Sequence, residues 1–176
     1  GRCLSEKSIA QLQQHRSVTN KKYDIAIVIT EGLSSFAITE NIEKMLTALI
    51  PALLDMGLSL APLTVVKQGR VAIGDDVGFH LKAAMSLILV GERPGLSSPD
   101  SLGAYFTYNP EPGCPDSKRN CLSNIRQRGM SYEQATARLT YLISEVIKRH
   151  YSGVELKDET EINKALVGKN FLLPEK

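Results

Sequence analysis

The chain has 176 residues, 43 % hydrophobic and 23 % charged, with a formal net charge of +2. That length suffices for one ordinary domain with a sizeable core, and so small a charge, with no Lys/Arg stripe, argues against a nucleic-acid partner. No apolar run approaches the roughly 20 residues of a membrane helix, and the polar residues 1–22 contain no apolar signal-peptide core, so a cytoplasmic protein without a membrane segment is expected.

Along the chain, a short helix is predicted over 5–15, followed by a polar linker over 16–22. Tyr23-Asp24-Ile25-Ala26-Ile27-Val28-Ile29-Thr30 is rich in β-branched residues and ends at Glu31-Gly32, the pattern of a buried first strand. Ser34 or Ser35 then offers an N-cap. Ile42, Met45, Leu46, Leu49, Ile50, Leu53 and Leu54 recur three or four apart, one face of a helix that Pro51 should kink or split and Gly57 should stop.

A second strand reads 58–67, closed by Gln68-Gly69. Residues 70–82 read as a helix with Val71, Ile73, Val77 and Leu81 apolar, weakened by Gly74 and Gly78. A third strand covers 85–91. A fourth, 103–109, carries Tyr105, Phe106 and Tyr108 and reads as an edge, and the proline-rich stretch 109–119 reads as a loop. Ser131 with Gln134 forms a capping box opening a helix to about His150, its core face Tyr132, Ala135, Leu139, Leu142, Ile143, Val146 and Ile147. The tail from Lys157 has no clear period.

Strand and helix alternate with short connections, which predicts an α/β fold: a Rossmann-like, mostly parallel sheet with helices on both faces. Each of the first three strands ends in a polar, glycine-containing turn: Glu31-Gly32, Gln68-Gly69-Arg70, and Glu92-Arg93-Pro94-Gly95. In a parallel sheet these turns share the carboxyl edge, where open α/β sheets bind ligands.

Several chemistries are conceivable at that edge. Neither a Walker loop nor a Gly-x-Gly-x-x-Gly after the first strand is present, which argues against classical nucleotide binding. Glu31, Asp75, Asp76 and Glu92 could gather as a carboxylate site, against the plainer reading that Asp75 and Asp76 are helix-surface acids and Glu31 belongs to a turn. Cys121 as a nucleophile lacks a placed base. The irregular spacing of Cys3, Cys114 and Cys121 predicts reduced thiols rather than a disulfide framework or zinc site, so no protein-bound metal is expected. His15, His80 and His150 read as surface or helix-end histidines.

Five phrases together are distinctive: residues 23–29 with Glu31-Gly32-Leu33-Ser34; Gln68-Gly69-Arg70-Val71-Ala72-Ile73-Gly74-Asp75; Gly91 through Leu102; Arg119-Asn120-Cys121-Leu122-Ser123-Asn124-Ile125-Arg126; and Ser152-Gly153-Val154 with Leu156-Lys157-Asp158-Glu159. In this order they resemble the small (light) subunit family of ethanolamine ammonia-lyase. The resemblance implies a Rossmann-like domain over 23–159 that encloses adenosylcobalamin against a large TIM-barrel subunit in a hetero-oligomer, in the cytoplasm or a bacterial microcompartment. The substrate and radical chemistry, ethanolamine to acetaldehyde and ammonia, would belong to the barrel, so no catalytic residue is expected here. Family cobalamin contacts carry over to the Val71 backbone carbonyl, to Glu92 and to Cys121.

The family usually has Asp where this chain has Glu31, and its members carry an N-terminal segment missing ahead of the helix and linker over 1–22. The Asp-x-His-x-x-Gly motif of other cobalamin folds is absent, since His80 lies in Asp76-Val77-Gly78-Phe79-His80, which implies that cobalamin keeps its own benzimidazole on cobalt. Residues 160–176 are expected to form a separate tail. The competing expectations are a self-contained hydrolase or nucleotide-binding enzyme using the acidic edge, and a non-enzymatic assembly module.

Overall fold

Strand β1 (Tyr23–Thr30) alternates its side chains between two cores, and this alternation organises the molecule. Ile25 and Ile27 point to one face with Met45, Leu49 and Leu53, whereas Ala26 and Val28 point to the other with Ile73, Val77 and Leu81. The computed structural model of the chain describes residues 1–19, 21–93, 95, 98–154 and 156. The expected tail over 160–176 lies outside the described residues.

The elements run α1 (Glu6–Thr19), β1, α2 (Ser35–Asp55), β2 (Thr64–Val66), α3 (Ile73–Leu81), β3 (Ala83–Gly91), β4 (Leu102–Tyr108), β5 (Arg119–Ile125) and α4 (Tyr132–Arg149). The five strands form one sheet in the order β2-β1-β3-β4-β5. β1 pairs in parallel with β2 and β3, while β4 lies antiparallel to both β3 and β5. The fold is α/β with helices on both faces, as expected, and its sheet is mixed. α2 and α4 share the core on one face, and α3, with α1 against it, covers the other. None of the described helices is long and apolar enough to cross a membrane.

Several local expectations change. α1 continues to Thr19, taking in much of the expected linker. α2 is continuous through Pro51, which sits in its last turns on the exposed side. Its buried positions Ala37, Asn41, Met45, Leu49 and Leu53 fall four apart, and Leu54 is exposed. The expected second strand shrinks to Thr64–Val66 because Pro62 cannot donate to a ladder. Upstream of it, the chain is held to β1 by a bridge from Leu60 to Ile25, an Ala61 N–H to Ile25 O bond at 2.9 Å, and bonds between Ser59 and Asp24, among them Ser59 N–H to Asp24 Oδ2 at 2.7 Å.

The larger correction concerns β4, which is an interior strand rather than an edge because β5 pairs on its far side. In β5 the core residues are Leu122 and Ile125, three apart, since a bulge intervenes between the pairs Ala104–Leu122 and Leu102–Ile125. Asn124 in that bulge has φ 58°. The interruption erases the two-residue period by which a strand is read.

Glycines weaken α3 only as an isolated helix. A Cβ on Gly74 would lie 2.9 Å from Ile88 Cβ, and one on Gly78 2.9 Å from Ser86 Cβ, so the bare positions let α3 settle close on β3. At the other helix, Ser131 and Gln134 make the predicted capping box, and α4 buries Ala135, Leu139, Leu142, Ile143 and Val146 while Ile147 remains exposed.

Candidate functional site

The order β2-β1-β3 places the sheet's topological switch between the carboxyl ends of β1 and β3, because the chain leaves β1 toward one face and enters β3 from the other. Leu33 N–H donates to Gly91 O at 2.9 Å, joining the turns after these two strands. The turn after β2 is tied in by Glu31, whose Oε1 accepts Gln68 N–H at 2.7 Å, and by Thr30 Oγ1, which accepts Gly69 N–H at 3.0 Å. The three turns therefore converge on one edge, as the sequence predicted. The Gln68 backbone N–H also holds the Glu31 carboxyl below its ordinary pKa. Glu31 is a brace between turns.

The proposed carboxylate cluster does not form. Asp75 is buried, accepting from Arg119 Nε at 2.9 Å and from Ser86 Oγ at 3.3 Å. Asp76, also buried, accepts Leu4 N–H at 3.1 Å. Neither is the helix-surface acid expected, because these carboxylates point under α3 to groups that the topology brings from β5, β3 and the N-terminal segment. Among the described residues no group of three or more His, Cys, Asp or Glu side chains is arranged to hold a metal ion.

Glu92 leaves β3 at the switch. Its backbone N–H donates to Ser101 O at 2.9 Å, and its Oε2 accepts the Ser101 hydroxyl and, at 3.1 Å, Asn124 N–H. The left-handed Asn124 of the β5 bulge thus supplies a donor that fixes the carboxylate. Val71 is half-buried just ahead of α3, and its carbonyl accepts Gly74 N–H at 3.1 Å, which leaves one lone pair for a further donor.

Cys121 lies on β5, directly opposite Tyr105 of β4. The protein atoms packed around its thiol raise the pKa; the neighbouring Tyr105 hydroxyl lowers it, and the Glu92 carboxylate raises it again. The net direction is upward, so Cys121 is a neutral thiol at physiological pH. Burial first, then the Cys121 interaction, pushes Tyr105 upward as well, keeping its hydroxyl protonated.

Two adjoining clefts open along this edge. One, of about 380 Å³, is lined by Val71, Glu92, Gly32, Leu33 and Arg93 among others. The second, of about 920 Å³, is lined by Val71, Cys121, Arg2, Cys114 and Arg119 among others. Arg70, Val71 and Tyr105 line both. Val71 and Glu92 therefore share one cleft, Val71 and Cys121 the other, and the two adjoin. Sequence reasoning did not single out Tyr105, Gly103 or Asn124; the period of β4 could have put Tyr105 on the face opposite Phe106, whereas the Asn124 bulge left no apolar signal.

These features define an α/β domain with an open, acceptor-bearing groove at its switch point. The family model described as Ethanolamine ammonia-lyase light chain (EutC) matches residues 1–157, and the chain belongs to this family. It is 48 % identical over 178 residues to the ethanolamine ammonia-lyase small subunit of Pseudomonas aeruginosa, covering 98 % of this chain and 65 % of that protein. Similar relatives are the small subunits of Pseudomonas putida, 50 % identical over 163 residues covering 93 % of this chain and 60 % of theirs, and of Xanthomonas campestris, 46 % identical over 182 residues covering 99 % and 67 %. The chain thus spans about two-thirds of the length of the curated relatives it matches.

Proposed function

We propose that this chain is the cofactor-cradling part of an ethanolamine ammonia-lyase small subunit, holding adenosylcobalamin against a large TIM-barrel subunit in a hetero-oligomer. On this reading the complex converts ethanolamine to acetaldehyde and ammonia, in the cytoplasm or inside a bacterial microcompartment. The observation that carries it is the junction of the two clefts at Val71, which sets Val71, Glu92 and Cys121 along one groove.

The donor set suits a corrin, whose rim of amides needs acceptors beside a broad, flat contact. Glu92 arrives already oriented by Ser101 and Asn124, so little rotamer freedom is lost when it accepts an amide N–H. The Val71 carbonyl offers a second, backbone acceptor, and the neutral Cys121 thiol a third, uncharged contact. When bound, adenosylcobalamin supplies radical chemistry. The groove is open on one side, so exclusion of water and oxygen falls to a partner.

The test uses the chain alone and together with the large subunit. Equilibrium dialysis with cyanocobalamin should show weak binding by the isolated chain and firm binding by the complex. With adenosylcobalamin and ethanolamine, acetaldehyde should form only in the complex. Turnover by the isolated chain, or a complex that binds no corrinoid, would overturn the reading.

A further inference from the structure

Between Glu92 and Tyr105 the sheet carries no side chain. Gly103 lies two residues before Tyr105 on β4, so both share the face that looks toward α3. A Cβ at position 103 would sit 3.0 Å from Glu92 Oε1, 3.1 Å from Glu92 Cγ and 3.2 Å from Tyr105 Cε2. The bare position keeps the Glu92 carboxylate and the Tyr105 ring side by side with nothing standing between them. Tyr105, in turn, lines both clefts and stands directly opposite Cys121 in the β4–β5 pair.

Resting on the corrinoid reading above, we infer that Tyr105, seated beside Glu92 over the bare Gly103, forms the floor of the groove and determines which ligands fit it. The Tyr105 ring gives the flat apolar contact that joins the two clefts, its hydroxyl orients the thiol of Cys121 on the facing strand, and Gly103 leaves the room in which the ring and the Glu92 carboxylate lie side by side. Neither residue carries charge or exchanges a proton in this role. Tyr105 is a contact and positioning residue, and Gly103 sets shape.

The experiment measures cyanocobalamin affinity by equilibrium dialysis in the complex with the large subunit, for wild type, Tyr105→Phe, Tyr105→Ala and Gly103→Val. In parallel, the iodoacetamide rate at Cys121 is followed against pH by peptide mass spectrometry on the chain without corrinoid. Tyr105→Ala should weaken binding about tenfold, the scale of a lost aromatic contact. Gly103→Val should weaken it at least as much, with the far-ultraviolet circular dichroism of the variant remaining that of the folded chain.

Tyr105→Phe keeps the ring, so its affinity should stay within a factor of about three. Its Cys121 alkylation profile should move to higher pH, because the hydroxyl that stabilises the thiolate is gone. That shift does not depend on corrinoid. Wild-type binding with unchanged affinity in Tyr105→Ala would overturn the floor, as would an unmoved Cys121 profile in Tyr105→Phe. Absence of binding by wild type would instead overturn the corrinoid reading and leave the thiol measurement to judge the Tyr105–Cys121 pair. If Gly103→Val unfolds, Gly103→Ala takes its place, and full affinity in that folded variant would overturn the shape role.

Discussion

Arg119 at the start of β5 donates from Nε to Asp75 Oδ2 on α3 at 2.9 Å, with Nη2 on the same oxygen, and both side chains are nearly inaccessible. The guanidinium also bonds Asp116 and, at 2.7 Å, the Cys114 carbonyl. One buried cation therefore ties α3, the edge strand β5 and the 109–118 connection together beside the wider cleft. Removing Arg119 strands Asp75 as a buried charge, which costs far more than the pair itself contributes, whereas removing Asp75 leaves Arg119 with Asp116.

Arg119→Ala should accordingly destabilise the fold by about 3–5 kcal/mol in denaturant unfolding, and Asp75→Ala by less, because Arg119 keeps Asp116. The paired replacement Arg119→Met with Asp75→Leu should recover most of that loss. Single variants within about 0.5 kcal/mol of wild type, the range of ordinary surface substitutions, would contradict the assignment.

Asn41 forms a second polar cross-link, on the opposite face. Its Nδ2 donates to Ala37 O and Asp100 O, each at 2.7 Å, and its Oδ1 accepts the Tyr132 hydroxyl at 2.9 Å. Asn41→Leu leaves the Tyr132 hydroxyl and the Asp100 carbonyl without these partners, at an expected cost of about 1–3 kcal/mol for an unsatisfied buried group. Tyr132→Phe on its own should cost less, and a double-mutant cycle should show the two substitutions to be non-additive.

Gly91 is where the turns after β1 and β3 meet, and a Cβ there would fall 2.1 Å from Ser34 O and 2.4 Å from Glu31 O. Gly91→Ala must push the turns apart, lowering stability by about 1–3 kcal/mol in the manner of overpacking. Calorimetry should show a depressed thermal midpoint. Because the displaced turns line the smaller cleft, cyanocobalamin affinity of the complex should fall with it.

Glu31 gives a pH signature. Its carboxyl is held below the ordinary value, first by the Gln68 backbone N–H. A depressed native pKa contributes stability that is present above the unfolded value near 4.5 and is lost as pH falls through the lower native value. Wild type should therefore exceed Glu31→Gln in stability at neutral pH, and the difference should shrink once the pH drops below about 4.5. Urea titrations at pH 7, 5, 4 and 3 read this directly; a difference that grows on acidification would contradict the brace.

By itself the sequence determined the parallel half of the sheet. Tyr23–Thr30 and the run into Gly91 are β-branched or aliphatic strands buried on both faces, and their abrupt ends at Glu31-Gly32 and Glu92-Arg93 announced the carboxyl edge. Ser131 and Gln134 likewise announced α4, since a capping box satisfies helix N–H groups with neighbours in sequence. Val71, Glu92 and Cys121 came from resemblance to a family, but their place near the edge was consistent with these turns.

Only the tertiary structure decided the antiparallel half and the chemistry of the buried acids. β5 has two core residues out of register around the Asn124 bulge, so pairing with β4, rather than its own period, makes it a strand. Asp75 reads as a surface acid until Arg119, 44 residues away, is brought against it. The floor at Gly103 and Tyr105 likewise exists only because β3, β4 and β5 lie side by side. Local propensity is written within a few residues, whereas these contacts join groups far apart in the chain.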